Sequence, residues 1–382
     1  MIRAAVIGAA GYTGAELIRW LLGHPGFEVV AISSDTDGGK QLSALYPALL
    51  KKSQLTFVKH SEALACDGTD VAFLATPHTV ALTMAPALLG RGIAVIDLSA
   101  DFRLKNAKEY EQWYQAAHMA PDLLEHAVYG LPEINRGILR AKADVWHGGQ
   151  KADVWHDGQK TAALDAASGE DGKAVLPPLV ANPGCYPTAT VLAAAPALSA
   201  GLHDSNTPII INAISGVSGA GRKASAVTHF CSVSDDLVAY GVTTHRHTPE
   251  IAQVFSDVAG YATKVIFTPH LAPLKRGMIS TVVVPLKNGV DKAAIERAYT
   301  DAYADEPFVA LLPSGLMPHS ASVIGTNNAQ LGIAYNAATH SLITSCAIDN
   351  LGKGAASQAV QNANILFGFK ETEGLDGVPS LL

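Results

Sequence analysis

A glycine-rich stretch near the start of the chain, Gly8-Ala9-Ala10-Gly11-Tyr12-Thr13-Gly14, indicates how the protein folds. It follows the apolar run Ala4–Ile7 and precedes a helical pattern over Ala15–Leu22. Glycines let a backbone turn tightly and approach a pyrophosphate, and the helix N-terminus adds N–H donors. The spacing is G-x-x-G-x-x-G rather than G-x-G-x-x-G, which is weak alone. Its position directly after a first strand nevertheless predicts a dinucleotide-binding loop.

The first third of the chain alternates short apolar runs with helical patterns. Further apolar runs occupy Glu28–Ile32, Val71–Ala75 and Ala94–Leu98. Strands that alternate with helices in this way are typical of a parallel sheet covered on both faces. We therefore expect an α/β fold that begins with a doubly wound parallel sheet.

The later chain has a different rhythm, which predicts an α+β domain with a mixed sheet. Its strand-like runs are Ile209–Ala213, Thr263–Phe267 and Ile279–Pro285, and its helix-like runs are Pro249–Val258 and Lys292–Tyr303. Two domains also suit the length of 382 residues, because single hydrophobic cores rarely grow beyond about 250–300 residues.

The composition excludes several classes of protein. Apolar residues make up 48% and charged residues 16% of the chain, which is typical of a globular protein. A net charge of -7 argues against nucleic acid as a partner. The apolar start Met1–Gly8 is too short for a signal or membrane segment. Four cysteines without C-x-x-C spacing indicate reduced thiols, no metal site and a cytoplasmic protein.

Residues from about 140 to 178 interrupt the pattern. Within them Lys142–Gln150 (KADVWHGGQ) is repeated as Lys151–Gln159 (KADVWHDGQ). One duplication is too little for a solenoid, which needs several stacked units, so we interpret it as a loop insertion. His147 and His156 could bind a metal, but nothing else in the segment supports this. The polar stretch Asp165–Lys173 reads as a flexible loop.

Ser33 and Ser34 end the second predicted strand, where a dinucleotide ribose is recognised. Hydroxyl groups there can donate to the 2′-phosphate of NADP, whereas an acidic side chain would accept from the 2′-hydroxyl of NAD. The serines favour NADP. Asp35 leaves NAD open, and it could equally be a turn residue.

Cys185 is the sharpest chemical feature. It follows Pro183-Gly184, and the Ala-rich segment Thr188–Ala195 predicts a helix that begins directly after it. A helix N-terminus favours the thiolate, which is the form that attacks carbonyl groups. A buried structural cysteine is the alternative. The turn before Cys185 and the helix after it favour a nucleophile.

Two histidines lie two residues apart in His245-Arg246-His247-Thr248-Pro249-Glu250. Thr248 and Pro249 predict a helix capped by the threonine. One histidine could be a general acid/base. A zinc pair is the rival interpretation, but no acidic or cysteine ligand stands at a helpful spacing, and at least one histidine could be structural.

Several loops are candidate anion sites or ordinary turns. They are Ser215–Lys223, with two cations among glycines, and Ser99–Arg103. Thr76-Pro77-His78 and Thr268-Pro269-His270 are each expected to follow a strand, and both histidines are interpreted as structural.

Taken together, these motifs resemble the N-acetyl-γ-glutamyl-phosphate reductases of arginine biosynthesis. The resemblance covers nearly the whole chain and rests on residues 8–14, 182–188, 215–223, 245–250, 268–270 and 349–356. It implies a Rossmann domain holding NADP at 1–181, with the insertion at about 140–178. It also implies a glyceraldehyde-phosphate-dehydrogenase-like catalytic and oligomerisation domain at 182–348, with 349–382 returning to the cofactor domain. A homodimer or homotetramer is expected.

The resemblance also implies roles for individual residues. Cys185 would be the nucleophile, and His247 or His245 the acid/base group. The implied cofactor contacts are Gly8, Gly11, Tyr12, Thr13, Gly14, Ser33, Ser34, Ser218, Gly219 and Asn350. The implied substrate or phosphate contacts are Arg103, Asn182, Ser215 and Arg246.

The implied activity is NADPH-dependent reduction of N-acetyl-L-glutamyl 5-phosphate through a cysteine thioester. The alternatives are a reductase of the aspartate-semialdehyde type, one acting on a carrier-linked aminoadipyl phosphate, and a dinucleotide sensor without chemistry. The His-Arg-His-Thr-Pro-Glu run favours the first activity over the aspartate-semialdehyde type. A basic docking surface for an acidic carrier is not evident at a net charge of -7.

Overall fold

The computed structural model describes residues 1–148 and 175–379. The chain forms two compact units. The first unit comprises Met1–Pro183 and Ala355–Asp376, and the second comprises Gly184–Gly354 with the tail from Gly377. The chain therefore passes from one unit to the other directly before Cys185 and returns after Gly354.

The first unit contains a seven-stranded sheet. Its strands are β1 (Ile2–Ile7), β2 (Phe27–Ser33), β3 (Phe57–Val58), β4 (Val71–Leu74), β5 (Ala94–Asp97), β6 (Ala127–Tyr129) and β7 (Leu179–Ala181). Neighbouring strands run parallel in the order β3-β2-β1-β4-β5-β7-β6. Every residue of β4 and β5 is buried, as expected for strands with helices on both faces. The predicted α/β fold is confirmed.

The helices of this unit connect the strands. They are α1 (Tyr12–Gly23), α2 (Leu42–Leu45), α3 (His60–Leu64), α4 (Ala81–Leu89), α5 (Ala107–Tyr114) and α6 (Pro132–Trp146). α1 begins inside the glycine-rich stretch, and it buries Leu17, Ile18 and Leu21 at helical spacing.

The prediction that the regular pattern fails from Arg140 was wrong for the first residues of the insertion. α6 continues to Trp146 because Leu139, Ala143 and Trp146 recur on one face and are buried. The ring of His147 bonds the carbonyl of Leu366 at 3.0 Å through Nε2. The second copy Lys151–Gln159, with His156, and the stretch Asp165–Lys173 lie outside the described residues.

The second unit is built on a mixed seven-stranded sheet in the order β12-β13-β14-β11-β8-β10-β9. Its elements in chain order are α7 (Cys185–Ser199), β8 (Ile209–Gly216), α8 (Phe230–Val233), β9 (Val238–Ala239), α9 (His247–Ala259), β10 (Val265–Ala272), β11 (Met278–Pro285), α10 (Lys292–Tyr303), β12 (Val309–Leu311), β13 (Ala329–Asn336) and β14 (Ser341–Ile348). The predicted mixed-sheet domain is confirmed.

One face of this sheet is covered by helices. α7 packs against β11 and β14, and α9 packs against α7 and β10. Along β8 the residues alternate between buried and exposed, so that Ile210 and Ile214 point away from the helices. The opposite face therefore presents these two isoleucines, with Asn212 between them, and is open within the described part of this chain.

Two local predictions were wrong. Thr268-Pro269-His270 lies inside β10 rather than after it. The strand tolerates Pro269 because its neighbour β9 is a two-residue strand at the sheet edge that pairs from His270 onward. α9 begins at His247, and the Thr248 hydroxyl caps nothing among the described residues.

The chain then returns to the first unit. A π-helical turn over Gly352–Ala356 leads into α11 (Ser357–Leu366), which is buried along its whole length. α11 packs against α6, α1 and β5. Among the described residues, no helix is long and apolar enough to cross a membrane.

Candidate active site

The glycine-rich loop of the first unit is shaped for a ligand at the N-terminus of α1. Gly8 has a φ of +84°, and a Cβ there would collide with the carbonyl of Ala75. A Cβ on Gly14 would lie 2.6 Å from the carbonyl oxygen of Gly8. The first-turn N–H groups of a helix lack intrahelical partners and attract anions. The loop therefore fits the pyrophosphate of a dinucleotide.

Replacing Gly8 by alanine is expected to destabilise the fold by about 1–3 kcal/mol and to weaken dinucleotide binding at least tenfold. The added methyl group would push the loop off Ala75. Gly92→Ala is the matched control, because Gly92 has a φ of +79° and a Cβ added to it would have nothing within 4 Å. Thermal unfolding and fluorescence titration with NADPH would measure both effects, and equal losses in the two variants would contradict the collision.

The serines after β2 make contacts within the first unit. The Ser33 hydroxyl bonds His60 Nδ1 at 2.8 Å, and the Ser34 hydroxyl donates to Asp37 at 3.2 Å. Lys40 pairs with Asp37 at 2.9 Å. Sequence reasoning missed Lys40, whose signal was a cation shortly after the end of β2. Its charge is balanced by the Asp37 carboxylate in this structure.

Cys185 is the first residue of α7, with Gly184 as its N-cap. Its side chain is partly exposed, whereas Cys346 in β14 is buried, and none of the four cysteines, all of which lie among the described residues, forms a disulfide. The positive end of the helix dipole favours an anion at this position. Gly354 also approaches closely, because a Cβ there would lie 2.8 Å from Cys185 Cβ. A thiolate nucleophile fits this environment.

His247 lies beside the residue that precedes Cys185. A Cβ on Gly184 would collide with His247 Nε2, so that the imidazole edge packs directly on the Gly184 backbone. One turn along α9, Glu250 is buried and accepts a hydrogen bond from the Gly184 N–H at 2.9 Å. The structure thus brings Cys185 and His247 together, although they are far apart in sequence.

His245 is positioned differently. Its Nδ1 accepts a hydrogen bond from the His247 N–H at 3.1 Å. Its ring packs at 5.6 Å from the Tyr186 ring and at 5.4 Å from the Tyr240 ring. Burial and the neighbouring Arg246 lower the pKa of His245 to about 4. His245 is therefore neutral near pH 7 and supports the position of His247.

Two tyrosines, Tyr186 and Tyr240, pack around the histidines, and sequence reasoning identified neither as a site residue. The Tyr240 hydroxyl donates to the Tyr186 hydroxyl at 3.2 Å, and Tyr186 donates to the carbonyl of His270 at 3.1 Å. Burial raises the pKa of Tyr186 and raises that of Tyr240 to about 12. Both are neutral donors. The position of Tyr186, directly after Cys185, was the one available signal.

Asn350 joins the loop after β8 to the loop before β11. Its Nδ2 donates to the Ser218 hydroxyl at 3.0 Å, and its Oδ1 accepts from the Gly277 N–H at 2.8 Å. A Cβ on Gly219 would lie 3.3 Å from Ser215 Oγ and 3.7 Å from Asn350 Nδ2. These four predicted contact residues, numbers 215, 218, 219 and 350, therefore form one cluster.

The predicted phosphate ligands Arg103 and Asn182 are buried in the first unit. Arg103 donates from Nε to the carbonyl of Asn182 and from an Nη to that of Leu98, both at 2.8 Å. Asn182 Nδ2 donates to the carbonyl of Ala355 at 3.1 Å. Arg246, the other predicted cation, is exposed at the N-cap of α9.

Comparison with known proteins places the chain in a family. It is 43% identical to an N-acetyl-gamma-glutamyl-phosphate reductase of Moorella thermoacetica, over 100% of this chain and 99% of that protein. The protein of the same name from Symbiobacterium thermophilum is also 43% identical, over 98% of this chain and 97% of its own length. The chain belongs to the N-acetyl-γ-glutamyl-phosphate reductase family. The resemblance inferred from the motifs is confirmed.

Two family models match this reductase. Residues 3–141 match the semialdehyde dehydrogenase NAD binding domain, and residues 185–350 match the semialdehyde dehydrogenase dimerisation domain. The first match agrees with the glycine-rich loop and supports the predicted nicotinamide cofactor. The second contains Cys185, both histidines and Asn350.

Solved structures confirm the fold of the reductase. Aspartate semialdehyde dehydrogenase II of Vibrio cholerae, complexed with ASA, superposes with a TM-score of 0.67 at 16% identity, covering 96% of this chain and 98% of that one. The Candida albicans enzyme with NADP superposes with a TM-score of 0.65 at 15% identity, with coverage of 96% and 98%. Both likenesses concern the fold.

The described residues contain no group of three or more His, Cys, Asp or Glu side chains arranged to hold a metal ion. The zinc interpretation of the two histidines therefore gains no support from their surroundings in the reductase. What the site presents is a thiol at a helix N-terminus, an imidazole beside it and neutral phenols.

Proposed function

We propose that this chain reduces N-acetyl-L-glutamyl 5-phosphate to N-acetyl-L-glutamate 5-semialdehyde and phosphate, with NADPH as the reductant. The observation that carries the proposal is Cys185 at the N-terminus of α7 with the His247 ring packed on the residue before it. Membership of the reductase family supplies the substrate class.

The first step is attack by the Cys185 thiolate on the γ-carbonyl carbon of the acyl phosphate. A carbon–sulfur bond forms, the carbon–oxygen bond to the phosphate breaks, and the phosphate leaves with the electron pair. The product is a thioester on Cys185. The N–H groups at the start of α7 are placed to stabilise the negative charge that develops on the carbonyl oxygen.

When bound, NADPH supplies the hydride that reduces the thioester carbon. The resulting oxyanion on that carbon collapses to the aldehyde, and the sulfur leaves with its electron pair. His247 is the group beside Cys185 that holds or returns the proton on sulfur or oxygen. His245 stays neutral and accepts from the His247 backbone, so we assign the proton transfer to His247.

The proposed cofactor contacts begin with the glycine-rich loop of the first unit. Gly8, Gly11 and Gly14, with Tyr12 and Thr13 at the start of α1, would hold the pyrophosphate. Ser33 and Ser34 would lie near the 2′-phosphate and Asn350 near the nicotinamide, with Ser218 and Gly219 as further cofactor contacts. Ser215 and Arg246 remain the proposed substrate contacts. Arg103 and Asn182 remain predictions, and their side chains bond backbone carbonyls in this structure.

We also propose a separate role for each of three segments of the chain. Residues 1–181 would bind the cofactor, and residues 182–348 would carry catalysis and assembly. Of the predicted return over 349–382, Ala355–Asp376 belong to the first unit. We propose a cytoplasmic location, because Cys185 must stay reduced to act and the cytoplasm is a reducing compartment.

The substrate class is tested by running the reaction in reverse. The rate of phosphate-dependent reduction of NADP⁺ would be measured with N-acetylglutamate semialdehyde as the substrate and again with aspartate semialdehyde. We expect the acetylated substrate to give the higher kcat/KM by at least about 10²-fold. A preference for aspartate semialdehyde would favour the alternative reductase type, and no turnover with either would favour a sensor.

We propose that the open sheet face of the second unit joins two copies of the chain. Ile266 on β10 is 51% exposed there and pairs with Ile210 on β8. Ile266→Lys is expected to shift the protein toward monomers in sedimentation velocity, because a buried unpaired lysine opposes association. Ile138→Lys, at a 53% exposed position on α6, is the matched control. A monomeric parent protein, or unchanged assembly in Ile266→Lys, would contradict the proposal.

A further inference from the structure

Gly184 is fixed by contacts at each of its backbone groups. Its N–H donates to Glu250 Oε1 at 2.9 Å. Its carbonyl accepts from the Thr188 N–H and from the Thr188 hydroxyl, both at 3.0 Å. Its Cα lies against the ring of His247, where a Cβ would collide with Nε2. The residue before the nucleophile is therefore held in one position.

Two of these contacts come from the same face of α9. His247 and Glu250 are three residues apart, which places their side chains on one side of a helix. α9 packs directly against α7, whose first residue is Cys185. A single rigid helix thus supplies both the imidazole beside the nucleophile and the acceptor that holds its N-cap.

The Glu250 contact is suited to precise positioning. The side chain is only 1% exposed, so water does not compete for its oxygen atoms. A hydrogen bond from a backbone N–H to a carboxylate is shorter and stronger than one between neutral groups. The N–H of an N-cap residue also has no partner within its own helix.

We propose that Glu250 is a positioning residue, which holds Gly184 so that the Cys185 thiol and the His247 imidazole keep a fixed position relative to each other. The inference rests on the proposed function, since it concerns the same site. It gives the carboxylate a role as hydrogen-bond acceptor, with the glycine at 184 required by the closeness of His247.

The test measures the reactivity of Cys185 without any substrate or cofactor. Cys66→Ser and Cys231→Ser form the background, because those are the other accessible thiols and Cys346 is buried. Iodoacetamide alkylation of Cys185 at neutral pH would be timed by mass spectrometry. We expect Glu250→Ala to slow alkylation at least about tenfold and Glu250→Gln to stay within about threefold, because the amide oxygen can still accept from Gly184.

A double-mutant cycle with His247→Asn separates positioning from general stability. If Glu250 acts through the pairing of Cys185 with His247, then Glu250→Ala should add less than about twofold once His247 is replaced. Full additivity would overturn the proposal, as would a Glu250→Gln variant as slow as Glu250→Ala. If Glu250→Ala does not fold, the alkylation rate of Glu250→Gln serves as the test. A loss of tenfold or more would indicate that Glu250 acts through its charge, and it would overturn the proposed role as hydrogen-bond acceptor.

The positioning role of Glu250 and the proposed reductase activity can be refuted separately. A parent enzyme that turns over N-acetylglutamyl phosphate while Glu250→Ala alkylates at the parent rate would remove only the role of Glu250. A parent enzyme without reductase activity, but with the predicted alkylation pattern, would remove the proposed substrate and keep the positioning role.

Discussion

Replacing Cys185 by serine is expected to lower kcat by at least about 10³-fold, because a hydroxyl at this position is a far weaker nucleophile than a thiolate. The dinucleotide-binding loop belongs to the first unit and Cys185 to the second. The affinity for NADPH should therefore change by less than about twofold. Stopped-flow or steady-state assays with the acyl phosphate, together with fluorescence titration of NADPH, would measure both quantities.

Cys231→Ser is the control for this substitution. Cys231 is exposed on α8 and has no place in the proposed chemistry, so its replacement should leave kcat at the parent value. Substantial turnover by Cys185→Ser would refute the covalent route. A parallel loss in both variants would indicate that the structure is sensitive to any cysteine replacement.

The two histidines are expected to differ strongly. His247→Asn should lower kcat by about 10²–10⁴-fold, which is the usual contribution of a general acid/base. His245→Asn should cost less than about tenfold, because asparagine can still accept the hydrogen bond from the His247 N–H. Comparison of kcat for the two variants decides between them. A larger loss in His245→Asn would reverse the assignment.

The pKa of His245 provides an independent check that the two histidines have different roles. Its pKa of about 4 lies below the ordinary value of 6.5, so the folded protein prefers the neutral ring. The stability that this preference contributes is fully present above about pH 6.5 and is lost as pH falls toward 4. NMR of labelled histidines should show His245 neutral at pH 6. A midpoint near 6.5 would contradict the assignment.

Much of the fold could be predicted because its signals are local. The apolar run Ala4–Ile7 lies inside β1, and the helical pattern over Lys292–Tyr303 coincides with α10. Cys185 could be singled out because a turn and a helix start flank it directly. In these cases the decisive interactions connect residues within a few positions of one another.

The contacts that complete the site could not be predicted in the same way. Glu250 meets Gly184 across 66 positions, and Tyr240 meets Tyr186 across 54. No pattern along the chain encodes such pairs. The packing of α9 on α7 creates the first, and the loop after β9 brings Tyr240 to α7 in the second. The same limit explains why the sequence left His245 and His247 equivalent, since only the position of Gly184 distinguishes them.

Local rules also failed where tertiary packing overrode them. The regular pattern was predicted to fail from Arg140, yet the buried side chain of Trp146 keeps α6 intact to that residue. Pro269 suggested the end of a strand, yet β10 continues past it beside a short edge strand. In the first case burial of apolar surface outweighs a modest backbone preference, and in the second the missing N–H costs little beside an edge strand.

The thioester on Cys185 is the central claim, and trapping it is the most direct test. The enzyme would be mixed with N-acetylglutamyl phosphate in the absence of NADPH, and intact-protein and peptide mass spectrometry would follow. We predict one N-acetylglutamyl group per chain on Cys185, removable by hydroxylamine, with one equivalent of phosphate released. Phosphate release without any adduct on Cys185, or an adduct on another residue, would contradict the account.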